Sequence, residues 1–142
     1  LSSPFDFYHY TCDGVADSGW GCAYRALQTC MSCLKLRVPS MAEAAIPSLL
    51  DIQRRLHAIG QIPETDIGSH RWIEPPDAWA FFQTTYGLDG TCDEFMTSPD
   101  TLGAFVAQLW DHFTSQGTTA MIDDAIKAYA VGGIAQVCDG GE

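Results

Sequence analysis

Apolar and polar positions along the chain fall into stretches of helical period separated by turn signals. From Cys22 to about Leu36, the residues Ala23, Ala26, Leu27, Cys30 and Leu34 recur at helical spacings and predict a helix. Ser40-Met41-Ala42-Glu43 has the form of a capping box and predicts a short helix that Pro47 stops. Ser48 then precedes Leu49, Ile52, Leu56 and Ile59, a stripe closed by Gly60, which predicts a helix over 49–59. Residues 61–76, with Pro63, Gly68, Pro75 and Pro76, read as a loop. A further helix begins near Pro76, carries Trp79, Phe82 and Tyr86, and ends at Gly87. After a short strand over 90–96, Ser98-Pro99 opens the strongest pattern of the chain. Leu102, Phe105, Val106, Leu109, Trp110 and Phe113 share one face there, and Gly117 ends the helix. Two strands, near 118–123 and 127–136, precede the turn signal Asp139-Gly140-Gly141. Helices first and strands last predict an α+β domain whose sheet is only beginning where the sequence ends.

Composition narrows the class. At 142 residues, 46% of them hydrophobic, the chain can bury a real core, and without repeats or linkers it reads as a single domain over 1–142. Eighteen acidic against seven basic side chains give a net charge of −11, which argues against nucleic acid and against anionic membrane surfaces. No apolar run approaches the roughly 18 residues that would span a bilayer. Leu1-Ser2-Ser3-Pro4 has neither a charged n-region nor an apolar h-region, and no initiator Met, so the chain reads as a fragment or processed piece without a signal peptide. The six cysteines are therefore expected to be reduced thiols in a cytoplasmic protein. Cys30-Met31-Ser32-Cys33 is a lone CxxC inside a predicted helix with no His at ligand spacing; it reads as core, and neither metal nor cofactor is expected. His57 reads as a solvated or partly packed surface residue, and His112, off the apolar stripe of its helix, as solvated.

Candidate chemistry concentrates in Asp17-Ser18-Gly19-Trp20-Gly21-Cys22-Ala23-Tyr24, followed by Arg25. These residues place one thiol between a Gly/Trp turn and the start of a helix. Unsatisfied N–H groups and the positive end of the helix dipole favour thiolate there, and the thiolate is the nucleophile. A buried structural cysteine opening a core helix has the same local signature, and the residues alone leave both readings open.

A cysteine opening a long helix, with strands late in the sequence, is the layout of papain-like cysteine proteases. Autophagin proteases carry a related Asp-x-Gly-Trp-Gly-Cys. The chain more closely resembles the proteases specific for ubiquitin-fold modifier 1 (UfSP type). The matching residues are Tyr8-His9-Tyr10, Cys12-Asp13-Gly14, Asp17 through Arg25, Leu27-Gln28-Thr29, Ile46-Pro47-Ser48-Leu49 with Ile52-Gln53, and Gly68-Ser69-His70-Arg71-Trp72-Ile73. Ala120-Met121-Ile122 and Ala128-Tyr129 resemble the strand pair preceding that family's catalytic Asp-Pro-His.

The resemblance implies a papain-like fold, with the N-terminal helical part and the beginning of an antiparallel sheet present and the C-terminal part missing. It implies Cys22 as nucleophile and Tyr10, twelve residues earlier, as the hydroxyl donor of the oxyanion hole. Papain's own donor position, six residues before the cysteine, is Ala16 here. The implied activity is a thiol protease that matures the modifier precursor and removes the modifier from lysines, cleaving after a C-terminal glycine. Its partners would be that precursor and its conjugates. An autophagin-like protease and a non-catalytic modifier-binding module are the alternatives. The Asp-Pro-His that would supply base and orienting carboxylate is not in the sequence, and none of His9, His57, His70 and His112 follows an Asp-Pro pair. The expectation is truncation before that motif, leaving this chain alone inactive, with His70 as the substitute base to consider. Uncovered apolar surface on the 99–115 helix would also invite self-association. Asp123-Asp124 with Lys127 departs from the family, which is glycine-rich there.

Overall fold

One helix, buried on nearly every side, organises the rest of the chain. A computed structural model describes residues 4–89, 92, 98–123 and 128–132. In α1 (Cys22–Arg37) every residue from Cys22 through Cys33 is buried. A helix so placed should be apolar all round, yet α1 carries Arg25, Gln28, Thr29 and Ser32 in that stretch. Each has a partner. The Gln28 side-chain amide donates to the Pro47 carbonyl at 2.8 Å. Thr29 Oγ1 accepts the Tyr8 N–H at 3.1 Å, and Ser32 Oγ accepts the Asp6 N–H at 2.8 Å while lying 3.0 Å from the Asp6 carbonyl. Buried polar groups are tolerated when hydrogen-bonded, and here the bonds lay the segment before α1 along its side. The ordered loop expected over residues 4–21 is this strap.

The remaining helices follow their sequence signals. α2 (Leu49–Ala58) starts at Ser48, whose hydroxyl accepts the Asp51 N–H. α3 (Pro75–Tyr86) has proline in its first turn and ends on Gly87 at φ +63°, a left-handed conformation that glycine adopts without penalty. Arg55 of α2 donates to the Thr84 carbonyl at 3.0 Å, near the last turn of α3. α4 (Pro99–Ser115) opens on a reciprocal Ser98–Thr101 capping pair. β1 (Ala120–Asp123) and β2 (Ala128–Val131) form an antiparallel pair with Ala120 opposite Val131 and Asp123 opposite Ala128. Leu27, Ile52, Leu56, Ile73, Phe81 and Ala128 belong to one apolar core with the first turn of α1. Among the described residues, four α-helices and a two-stranded antiparallel sheet make the α+β arrangement expected from the sequence.

Several expectations change. The helix expected at Ser40–Glu43 is instead a single 3-10 turn over Pro39–Met41, followed by a further turn. Nucleating a longer helix between Pro39 and Pro47 would cost more than so few hydrogen bonds return, and the buried Met41 side chain already anchors the segment. The first strand starts at Ala120 instead of near 118, β2 runs over Ala128–Val131, and positions 127 and 133–136 of the second expected strand lie outside the described residues. The strand expected over 90–96 lies outside the described residues apart from Cys92. His112 is half-buried, its Nε2 2.9 Å from the Thr118 carbonyl, whereas a solvated ring was expected. On α4 only Phe113 of the expected apolar stripe is buried, while Leu102, Val106 and Trp110 remain exposed. Packing is instead concentrated at the end of α4, where Arg37 also donates to the Gln116 carbonyl at 3.1 Å.

Gln53 is the polar keystone between α2 and the loop after it. Its Oε1 accepts the Gly68 N–H at 2.7 Å, and its Nε2 donates to the Ser69 carbonyl at 3.0 Å and to the Tyr24 hydroxyl at 3.2 Å. Tyr24 in turn donates to the Arg71 carbonyl at 2.8 Å. Replacing Gln53 by Leu leaves several buried groups unpaired, each costing about 1–3 kcal/mol; urea unfolding should register a loss of roughly 3 kcal/mol or more. Burial pushes the Tyr24 hydroxyl up to about 12 against an ordinary 10, partly offset by the Gln53 hydrogen bond. A raised phenol is protonated in the fold and ionised in the unfolded chain between those values, so its contribution is intact below about pH 10 and is lost as pH rises towards 12. Tyr24→Phe should show a shallower alkaline limb of stability, measured by thermal unfolding across that range.

Candidate active site

Asp17 and Gly21 set the turn that presents Cys22. The Asp17 carbonyl accepts the N–H groups of Trp20 (3.2 Å) and Gly21 (2.8 Å), closing the turn directly onto α1. A Cβ on Gly21 would come within 2.6 Å of the Asp17 Cβ, so only glycine fits the approach. Gly19, at φ +90°, supplies the left-handed step inside the turn. No side chain caps the N-terminus of α1, whose N-cap is Gly21, and no acidic residue sits in its first turn. The positive end of the helix is thus left to the sulfur.

The Asp17 side chain is completely buried, and its two oxygens divide their work. Oδ1 accepts the Thr11 N–H at 2.7 Å, and Oδ2 accepts Arg25 Nε at 2.7 Å. Arg25 uses its other nitrogens on both oxygens of Asp13, at 2.7 and 3.0 Å, and on Gln28 Oε1 at 3.0 Å. Burial alone would raise the Asp17 carboxyl; the Arg25 hydrogen bond and the Thr11 N–H outweigh it and hold the group below its ordinary value. Thr11 has φ +62°, unusual for a β-branched residue, and the Asp17 bond to its N–H holds it there. The residue before this strained position is Tyr10.

Tyr10 and Cys22 are brought together. The Tyr10 hydroxyl is raised by burial first, then by the adjacent Cys22 thiol with which it hydrogen-bonds, and by Asp17 and Tyr129. It therefore keeps its proton, as a hydrogen-bond donor must. A second donor comes from the sheet: the Ala128 N–H of β2 lies 3.4 Å from Cys22 Sγ, across 106 residues of sequence. The sulfur itself is buried with its residue only 6% exposed.

The histidines are occupied elsewhere. His70 is exposed and stacks on Trp20 with ring centroids 5.0 Å apart and planes 11° from parallel. His9 Nδ1 is 2.8 Å from the Tyr10 carbonyl, and His57 Nδ1 is 3.1 Å from the Ile62 carbonyl. Trp20 meets Tyr24 edge-on at 5.6 Å, so the Gln53 network, the 66–72 loop and the turn before Cys22 form one connected unit. Cys30 and Cys33 are buried on α1 and Cys30 is pushed up to about 11 by burial, the chemistry of core thiols. Among the described residues no cluster of His, Cys, Asp and Glu could hold a metal ion, and no helix is long and apolar enough to cross a membrane.

The sequence model of peptidase family C78 matches residues 1–141. The chain belongs to peptidase family C78. Among similar proteins, the Probable Ufm1-specific protease 2 of Drosophila pseudoobscura pseudoobscura is 33% identical over 142 residues, covering 100% of this chain and 23% of that protein. The Probable Ufm1-specific protease of Oryza sativa subsp. japonica is 36% identical over 135 residues, 94% of this chain and 20% of the relative. The crystal structure of UfSP from C. elegans superposes with a TM-score of 0.71 at 29% identity, covering 92% of this chain and 22% of that one. The C78 chain thus spans between a fifth and a quarter of the length of these relatives. The papain-like UfSP-type fold expected from the resemblance is the one observed.

Two contributors to this C78 site were not foreseen from the sequence. Arg25 was legible only as part of a motif, although a charged residue in an otherwise apolar helical stretch is itself a signal of a buried partner. The Ala128 N–H carries no sequence signal at all. Gly21→Ala should lower stability by roughly 1–3 kcal/mol through overpacking against Asp17. Gly19→Ala, where a Cβ would meet open space, should cost less than Gly21→Ala through its left-handed φ alone. Denaturant midpoints of the two variants provide the check.

Proposed function

We propose that Cys22 is the nucleophile, and Tyr10 the oxyanion donor, of a cysteine protease that matures the Ufm1 precursor and releases Ufm1 from lysine conjugates. Cleavage would follow a C-terminal glycine. The observation that carries this reading is the convergence of the Tyr10 hydroxyl on Cys22 at the uncapped N-terminus of α1, in a chain of family C78 whose relatives are named Ufm1-specific proteases. In the reaction the Cys22 thiolate attacks the glycine carbonyl carbon, and the π electrons move onto the oxygen. The Tyr10 hydroxyl, which bonds the sulfur at rest, lies within reach of an oxyanion formed on a carbon joined to that sulfur. The Cys22 N–H supplies the second donor. Collapse expels the lysine or peptide amine with a proton, and water then hydrolyses the thioester. The imidazole that takes and returns the proton is assigned to an Asp-Pro-His segment of the longer protein, in keeping with the resemblance. His70, whose ring stacks on Trp20, is the substitute base to mutate should this chain alone prove active.

Cys22→Ala and Cys22→Ser in the full-length protein should abolish hydrolysis of a Ufm1 C-terminal amide probe while leaving the fold intact, since losing the nucleophile removes nearly all catalysis. Tyr10→Phe should lower kcat by about 10- to 1000-fold with a smaller effect on KM. Unchanged turnover in Cys22→Ala would remove the assignment, and unchanged kcat in Tyr10→Phe would return Tyr10 to a packing role.

A further inference from the structure

A strand N–H ordinarily donates to the carbonyl of a neighbouring strand. Ala128 sits in β2 opposite Asp123, yet its N–H is aimed at the sulfur of Cys22, 3.4 Å away in buried surroundings. Ala128 is 5% exposed, so water does not reach the group freely. A thiol is a weak acceptor, and a buried N–H aimed at one is poorly satisfied. A thiolate is a strong one. Ionising Cys22 therefore satisfies both partners at once, and the cost of burying the N–H is relieved in the charged state. Accepting the reading of Cys22 as nucleophile, we infer that the Ala128 backbone N–H is a catalytic group that stabilises the Cys22 thiolate before attack. β2 thereby becomes part of the machinery and not merely its backing.

The other titratable or charged groups around the sulfur leave this role open. Tyr10, from the loop before α1, stays neutral, and Asp17 beside it is compensated by Arg25 of α1. Tyr24 of α1 is held neutral by burial, and Tyr129 of β2 enters as the smallest of the influences that raise the Tyr10 hydroxyl. The N–H also differs from an oxyanion donor in what it does to rate. It favours formation of the thiolate but lowers the reactivity of the thiolate formed, because charge leaves the sulfur during attack.

That opposition gives the test. In the full-length protein, lactic acid placed at position 128 replaces the N–H by an ester oxygen and keeps the methyl group. Alkylation of Cys22 by iodoacetamide is followed on the Cys22 peptide by mass spectrometry from about pH 5 to 10. Losing a bond to a charged acceptor should cut the thiolate population about tenfold and raise intrinsic reactivity about threefold. The variant should therefore alkylate about threefold more slowly in the acidic half and about threefold faster in the alkaline half, so that the two profiles cross. The same replacement at Ala130, elsewhere in β2, should give no crossing. Superimposable profiles, or equal crossing from position 130, would overturn the inference. A second measurement needs no variant of Ala128: with 15N-alanine labelling, its amide proton should shift with pH in step with Cys22 alkylation and stay still in Cys22→Ala. An Ala128 resonance that ignores that titration would also overturn it. Alkylation requires no turnover, so activity surviving in Cys22→Ala would sink the protease reading while leaving this result interpretable.

Discussion

Asp17 has no contact with solvent, and a carboxylate so placed is tolerable only where charge and hydrogen bonds replace the lost water. Arg25 supplies the charge from one turn inside α1, and Thr11 supplies an N–H from the preceding loop. Removing Arg25 would strand Asp17 in a low-dielectric interior, at a cost of about 3–5 kcal/mol, whereas Arg25 would keep Asp13 if Asp17 were lost. The pair therefore fixes geometry more than it adds stability. Through its side chain Asp17 holds the loop that carries Tyr10, and through its carbonyl it holds the turn that carries Cys22. One residue thus sets the relation between Cys22 and the Tyr10 hydroxyl, and the strained φ of Thr11 is where that setting is felt.

The sulfur sits where three independent pieces of chain meet. The helix contributes its uncapped N-terminus, the strap before it contributes the Tyr10 hydroxyl, and the sheet contributes the Ala128 N–H. Each donor is held by elements with their own reasons to be there. The strap is tied along α1 by Thr29 and Ser32, and β2 is fixed by its ladder with β1 and by burial of Ala128 in the core. Preorganised donors of this kind need little rearrangement when charge appears.

A second polar centre lies beneath the site. Tyr24, two residues into α1 from Cys22, joins Gln53 and the backbone of residues 68–71, and its ring supports Trp20, on which His70 stacks. The segments Leu27-Gln28-Thr29, Ile52-Gln53 and Gly68–Ile73 that carry the family resemblance are therefore not scattered matches. Gln28 binds the Pro47 carbonyl, Thr29 binds the strap, and Gln53 binds the loop, so each one closes a contact around the same helix.

Local signals were sufficient for much of this. Periodicity placed α1, α2, α3 and α4 to within a few residues, because capping, proline and glycine stops act within one or two turns of the residue that carries them. The motif from Asp17 to Arg25 placed Cys22 at a helix start for the same reason, and the family resemblance added Tyr10. The Ser40–Glu43 helix failed where a local capping signal met a segment too short to propagate. The stripe on α4 marked an apolar face correctly but did not say that only Phe113 of it would be buried among the described residues. Long-range closure lay beyond such signals: Asp17 with Arg25, Gln53 with Tyr24 and the 68–71 loop, and above all the Ala128 N–H on Cys22. Every peptide except proline's carries an N–H, so its identity marks nothing in a sequence. Which N–H meets the sulfur is decided only when β2 packs against the first turn of α1.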